Sequence, residues 1–422
     1  MNILVIDEQF PYPLTNGKSI RTFNLLRFLA GKHSISYLAY GTSDSEAVRK
    51  IEQLGIKCFP VGPADLPKNG LRFYFRLFRN LFSLLPYVVT SHYTSRFQNR
   101  LDQLTSSMHF DLIICEWTPY AIYLKRLNHS KSIIVAHNIE TDIWQRYEEN
   151  ETNFLKRAYI SVQKFKMNRY EQKCFQWANG ATAVTNNDAR QILTCHVDYP
   201  VQVVSNGVDL DYFHPNSEKV TQSQLVFTGS MDWRPNQDAV QYFIKNIFPR
   251  AREKCPDLKF TVVGRDPPKE IWNLDKITGV TIAGTVDDIR PYIAQAALYI
   301  VPLRIGGGSR LKILEAMAME KPVLSTSIGA EGLDVRSGKD IFIADSPQIF
   351  AEKIITCLAN KELLARVARQ GRKLVMKKYG WEACGKDLNR YISRIIEGGT
   401  RLVLLITFLA NFCLDSSCFP II

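Results

Sequence analysis

Short apolar runs, each followed by a longer stretch with helical spacing, recur from the first residues of the chain to about residue 345. In the amino-terminal half these runs predict strands at 3–6, 35–39, 57–61, 112–115, 133–136, 181–184 and 201–204. The longest helical pattern there lies between about 141 and 177. After Ser205-Asn-Gly-Val-Asp209 and a polar stretch at 216–223 the alternation restarts, with strands at 225–227, 260–263, 281–283, 299–301, 323–325 and 341–343. Near-continuous apolar strands alternating with amphipathic helices belong to α/β architecture, with helices covering both faces of a parallel, doubly wound sheet. Because the pattern is interrupted once, it predicts two Rossmann-like domains, 1–215 and 216–380. The segment 361–397 reads as two helices broken near Tyr379-Gly380.

Length agrees with this division, since 422 residues exceed what one ordinary core supports. A hydrophobic content of 46% with 22% charged residues excludes disordered and fibrous classes. The nine cysteines form no C-x-x-C pair, which excludes a zinc framework or disulfide scaffold and fits a reducing compartment. The chain opens on MNILVID, a strand with no basic-then-apolar leader, so a cytoplasmic location is expected. The terminal stretch 398–422 is atypical. Its apolar run, 402–414, is shorter than the ~20 residues of a membrane helix. It reads as an interfacial anchor, an extra buried helix, or sequence added by a change of reading frame.

The formal net charge of +12 is concentrated in two runs. Residues 66–101 hold Lys68, Arg72, Arg76, Arg79, Arg96 and Arg100 with no acid, and 154–173 hold six Lys or Arg against Glu171 alone. The first run is also aromatic, LRFYFRLFRNLFSLLPY. Arg72, Arg76 and Arg79 share one helical face, with Phe75, Phe78, Leu81 and Phe82 along the rest. Two readings stand side by side: a face for an anionic membrane or lipid-linked substrate, and a basic helix whose aromatics pack into the core. No helix-turn-helix, RNA-binding or finger signature accompanies the charge, so nucleic acid is disfavoured.

The densest chemistry is GGGSRLKILEAMAMEKPVLST, residues 306–326. Here a strand feeds a glycine loop, Gly307-Gly308-Ser309, which opens a helix carrying Arg310, Lys312 and Glu315. Unpaired N–H groups and the positive end of a helix dipole suit a phosphate, with Arg310 and Lys312 adding charge. The bland reading is a tight turn with a solvated basic face. Neither G-x-G-x-x-G nor G-x-x-x-x-G-K-[ST] occurs at a strand–helix junction, which disfavours NAD enzymes and P-loop kinases. A second loop, DEQFPYPLTNGKSIRTF, places Gly17, Lys18 and Arg21 after the first strand, where open α/β sheets bind ligands. His137 and Glu116 each follow a strand's carboxyl end in the same half.

The segment 306–326 resembles the donor-site signature of family 4 glycosyltransferases, and the resemblance extends over about 395 residues. It implies the GT-B fold, two Rossmann-like domains facing across a cleft, with the last helix, 381–397, crossing back to the first domain. It implies a retaining transfer from a nucleotide-diphosphate sugar, with His137, Arg310 and Glu315 in catalytic roles. Gly17, Lys18, Gly229, Ser230, Arg234, Gly264, Arg265, Gly307, Gly308, Ser309 and Lys312 are then the nucleotide-sugar contacts. Two departures stand out. Gly229-Ser230-Met231 replaces the family's G-R-L, and Gly307 replaces the first Glu of its E-x7-E pair. Arg310 and Lys312 are expected to take over diphosphate neutralisation. No D-x-D element is placed to hold a metal, so the expected chemistry uses no metal and no cofactor beyond the donor. The implied acceptor is lipid-linked or polysaccharide, met at the inner face of a membrane. A GT-B sugar-nucleotide epimerase and a non-catalytic GT-B scaffold are the alternatives.

Overall fold

The computed structural model describes residues 1–63, 70–127, 130–216, 218, 220–305 and 310–398. These residues form two compact units: Met1–Ser205 joined by the chain from Gly385 onward, and Asn206–Cys384. In the first unit the strands are β1 (Asn2–Gln9), β2 (Ser34–Tyr40), β3 (Lys57–Pro60), β4 (Leu112–Cys115), β5 (Lys131–Val135), β6 (Gly180–Ala183) and β7 (Val201–Val203). They make one sheet in the order β3-β2-β1-β4-β5-β6-β7, every pair parallel. In the second unit β8 (Thr221–Thr228), β9 (Lys259–Val263), β10 (Val280–Gly284), β11 (Ala296–Val301), β12 (Val323–Ser325) and β13 (Phe342–Ile343) pair in the order β10-β9-β8-β11-β12-β13, again all parallel.

Helices cover these sheets, which is why their central strands are apolar on both faces. Ile3–Ile6 and Leu112–Ile114 are buried, as are all six residues of β11. The helices that position side chains of interest are α1 (Gly17–Ala30), α2 (Gly70–Leu81), α3 (Phe154–Cys174), α4 (Arg234–Tyr242), α5 (Leu311–Ala318) and α6 (Trp381–Glu397). The single helix expected over 141–177 is two, Glu140–Asn150 and α3, because Asn153 caps α3 by accepting from the Lys156 N–H at 3.1 Å. The terminal stretch beyond residue 398 and the loop Gly307-Gly308-Ser309 lie outside the described residues.

Strand order reverses between β1 and β4 in the first sheet and between β8 and β11 in the second. At such a switch point neighbouring connections leave to opposite faces and open a crevice at the carboxyl ends of the strands. Both loops singled out from the sequence leave from these points.

Candidate functional site

In the second unit the switch point is built around two glycines. The Gly229 N–H donates to the Val263 carbonyl at 2.9 Å, and the Gly264 N–H to the Gly284 carbonyl at 2.9 Å. A Cβ on Gly264 would stand 1.8 Å from the Gly229 oxygen, so only glycine lets the two backbones meet. Gly229 itself has φ +154°, and a Cβ there would fall 2.7 Å from the Lys312 ammonium. The two glycines thus bring the β8 loop against the first turn of α5.

Lys312 is the centre of this arrangement. Its Nζ donates to Asn236 Oδ1 at 2.7 Å and lies 4.2 Å from the centre of the Phe227 ring. Asn236 is buried in the first turn of α4, and its Nδ2 donates to the Ser230 carbonyl at 2.8 Å, so the lysine seat and the β8 loop are one unit. Among the described residues no carboxylate lies within ion-pair distance of the Lys312 ammonium. Burial pulls its pKa down to about 7, Glu315 opposing and Arg310 assisting. Burial likewise pushes the Glu315 carboxyl, one turn further along α5, up to about 7 against the pull of Lys312. A cation and a carboxyl held this near neutrality want an anion and a polar partner.

The other donor-side residues are disposed differently. Arg310 enters α5 from the left-handed region, φ 53° and ψ 19°, an uncommon backbone for a residue with a side chain. Its guanidinium is buried and already engaged: NH2 lies 3.0 Å from Glu331 Oε2, and Nε donates to the Glu331 carbonyl at 3.2 Å. Of the two cations expected to neutralise a diphosphate, Arg310 is thus paired with Glu331, while Lys312 is held by the neutral Asn236. Ser230 Oγ donates to Asp232 Oδ1 at 2.6 Å, and Arg265 pairs with Asp232 and Asp266 at 3.3 Å each. Arg234 is exposed at the start of α4.

In the first unit Gly17 opens α1 behind Asn16, whose side chain accepts from the Ser19 N–H at 2.9 Å. Lys18, expected as a nucleotide-sugar contact, pairs with two acids of its own unit. Nζ reaches Asp7 Oδ1 at 2.7 Å and Glu8 Oε1 at 2.9 Å, and stands 5.1 Å over the Trp117 ring. Burial would lower the Lys18 pKa, but the two carboxylates outweigh it and raise it. Asp7 is pushed by burial up to about 7, against Lys18. Nothing in the sequence marked Asp7 and Glu8 as the partners of Lys18.

His137 meets Glu116 as their two strand ends imply. Nε2 is 3.1 Å from Glu116 Oε2, with Thr22 Oγ1 donating to the same oxygen at 3.1 Å. A carboxylate only accepts, so Nε2 carries the proton and Nδ1 the lone pair. Burial lowers the His137 pKa in spite of Glu116, which keeps the ring neutral at physiological pH. Burial pushes the Glu116 carboxyl up, but His137, Arg21 and Lys18 outweigh it and hold it below its ordinary 4.5. A depressed carboxyl contributes stability at neutral pH that is lost as pH falls through its folded-state pKa. Glu116→Gln is therefore expected to cost about 1–3 kcal/mol at pH 7 and to flatten the acid limb of a stability–pH curve. Urea titrations across that range check both.

Comparison with known proteins agrees with this geometry. The model of Glycosyltransferase Family 4 matches residues 15–212, and that of Glycosyl transferases group 1 matches residues 222–360. A 44.6 kDa protein in the cps region of Klebsiella pneumoniae is 21% identical over 393 residues, 89% of this chain and 96% of its own. A glycosyltransferase of Methanocaldococcus jannaschii is 30% identical over 190 residues, 43% of this chain and 50% of its own. Among solved structures, sucrose-phosphate synthase from Thermosynechococcus elongatus superposes with a TM-score of 0.69 at 14% identity, covering 94% of this chain and all of that one. The Anabaena protein HepE, in complex with UDP and glucose, has a TM-score of 0.61 at 14% identity, covering 93% and 99%. The fold is GT-B, and the chain belongs to the family 4, group 1 glycosyltransferases.

Proposed function

We propose that the enzyme transfers a sugar, with retention, from a nucleotide-diphosphate sugar to a lipid-linked or polysaccharide acceptor in cell-surface glycan assembly, working at the cytoplasmic face of a membrane. One observation carries the donor half of this reading. Lys312 is a half-buried cation at the sheet's switch point with a neutral acceptor, Asn236, as its hydrogen-bond partner and, among the described residues, no carboxylate in ion-pair range. A diphosphate beside it supplies the missing charge, and the charge that develops on departure is stabilised by a group already in place. Glu315, protonated for part of the time near pH 7, can donate to a sugar hydroxyl. The Nδ1 lone pair of His137 suits acceptance from another. The chemistry assigned to these residues is front-face displacement within an ion pair, without metal. HepE in complex with UDP and glucose supports the choice of first ligand.

The test is calorimetry with UDP, GDP, ADP and dTDP, and with UDP-glucose for pH work, since an esterified diphosphate does not titrate near neutrality. The sign follows from the depressed lysine. Below pH ~7 Lys312 is charged in the free protein. Above it the group is neutral, and the donor's anion must draw a proton back. Affinity for UDP-glucose should fall as pH rises from about 6 to 9, with proton uptake on the alkaline side detected through buffers of different ionisation enthalpy. No binding of any nucleotide overturns the donor reading. Binding without pH dependence removes Lys312 from it.

A further inference from the structure

A helix on the surface of a globular protein turns its apolar stripe inward and its polar side to water. Helix α2 turns most of its apolar residues to water. Asn80 is its buried residue and holds the helix by polar contacts, beside the half-buried Phe73, whose ring stands edge-on to Tyr87 at 6.1 Å. Its Nδ2 donates to the Leu85 carbonyl at 3.0 Å and Thr90 Oγ1 at 2.9 Å, and its Oδ1 accepts from Gln163 of α3 at 3.0 Å. Lys166 of α3 adds a bond from Nζ to the Asn80 carbonyl at 2.6 Å. On the opposite side Leu71, Tyr74, Phe75, Phe78, Leu81 and Phe82, at the i, i+3, i+4 and i+7 spacing of one face, stand in solvent. Phe78 is 60% exposed and Phe82 80%. This outcome removes the reading in which these aromatics belong to the core.

On α3, Phe154, Leu155 and Phe165 are also exposed. Cations are exposed on the same two helices: Arg72 and Arg79 on the flank of α2, Lys156 and Arg157 at the start of α3. No acid occurs between residues 66 and 101, and Glu171, the one acid of 154–173, is buried. A helix face with six large apolar side chains left in solvent is uncommon on a protein that stays in water. Among the described residues no helix is long and apolar enough to cross a membrane.

We propose that α2 and the amino-terminal half of α3 form a docking face for an anionic phospholipid bilayer, with the aromatic side chains in the acyl boundary and the arginines and lysines among the phosphates. Charge complementarity decides the occupant. With no acid in residues 66–101, and the six cations of 154–173 met by the buried Glu171 and by Glu148 on Lys164, the face is net positive and repels a second copy of itself, while aromatic–cationic amphipathic faces bind anionic lipid through burial and charge together. The inference rests on the acceptor reading above for its biological setting, but its test uses neither donor nor acceptor.

The full chain is sedimented with vesicles of phosphatidylcholine alone and of phosphatidylcholine with phosphatidylglycerol, beside the double variant Phe78→Asp/Phe82→Asp. Both side chains are exposed, so the variant should fold, and an unchanged circular dichroism spectrum and urea midpoint verify that it does. The expected result is binding to the anionic vesicles only, weakened by added salt, and reduced at least about tenfold in the variant. Equal binding to neutral vesicles overturns the proposal, as does unchanged binding by the variant. So does a wild-type dimer in light scattering that the variant abolishes while neither protein binds vesicles.

Discussion

Lys312→Met is expected to lower turnover about 10²–10³-fold, the usual loss when one preorganised donor to developing charge is removed, and to stabilise the unliganded protein. The two effects share one cause. Burial opposes the charged form of Lys312 and draws its pKa from 10.5 to about 7. A folded-state pKa below the unfolded one means that the unfolded chain binds the extra proton between those values. Stability is thus lost as pH falls from about 10.5 to 7, and the full penalty is present below it. Methionine has similar length and no charge. Discounted for partial exposure and for the hydrogen bond that Asn236 loses, a gain of about 1–3 kcal/mol at pH 7 is expected. Steady-state kinetics with a nucleotide sugar and urea unfolding at pH 7 read the two arms separately. A variant that is both inactive and less stable would show Lys312 to be a structural residue.

Gly264→Ala is expected to cost about 3–5 kcal/mol, near the upper end for a single substitution. The added Cβ meets the Gly229 oxygen at 1.8 Å and its carbonyl carbon at 2.8 Å, and neither is the end of a flexible side chain. Relief requires moving the β8 loop away from β9, which breaks the bonds from Gly229 N to Val263 O at 2.9 Å and from Met231 N to Arg265 O at 2.7 Å. The same shift carries Ser230 away from Asn236 and so unseats Lys312. Denaturant midpoints against Gly338→Ala form the control. That glycine has φ +76° but open space around it, so strain without collision should cost about 1 kcal/mol. Equal losses at the two positions would mean that the close approach is not what Gly264 provides.

Much of the fold was legible because apolar periodicity is a local property. The runs at 3–6, 112–115 and 299–301 fall inside β1, β4 and β11. His137 and Glu116 were legible as residues after strand ends, and parallel neighbours β4 and β5 bring them to hydrogen-bond distance. The pairing of charges was not legible. Lys18 and Arg310 were read as cations awaiting phosphate, yet their nearest carboxylates come from β1 and from Glu331, which lies 21 residues beyond Arg310. Nothing in spacing announces such a partner, because it depends on where a loop returns in space. Asn236 was equally silent, an ordinary polar residue in a first turn until Phe227 and Lys312 surround it. The direction in which α2 faces could not be read either. Amphipathicity marks two faces of a helix, and only its anchors on α3 decide which one meets water.

Completion of the first unit by the chain from Gly385 onward gives the enzyme an order of assembly during synthesis. Tyr391 of α6 donates its hydroxyl to the Pro200 carbonyl at 2.7 Å and accepts from the Ala181 N–H at 3.0 Å, while Lys131 reaches the Ile395 and Ile396 carbonyls. Every strand of the first sheet has left the ribosome roughly 180 residues before those partners exist, a delay of about 10–40 s at ordinary elongation rates. The second unit is continuous and can close during that interval. The first must wait with the flank of β6 uncovered, so a premature stop anywhere in the second unit damages both, and the nascent first unit is the one that chaperones must shield.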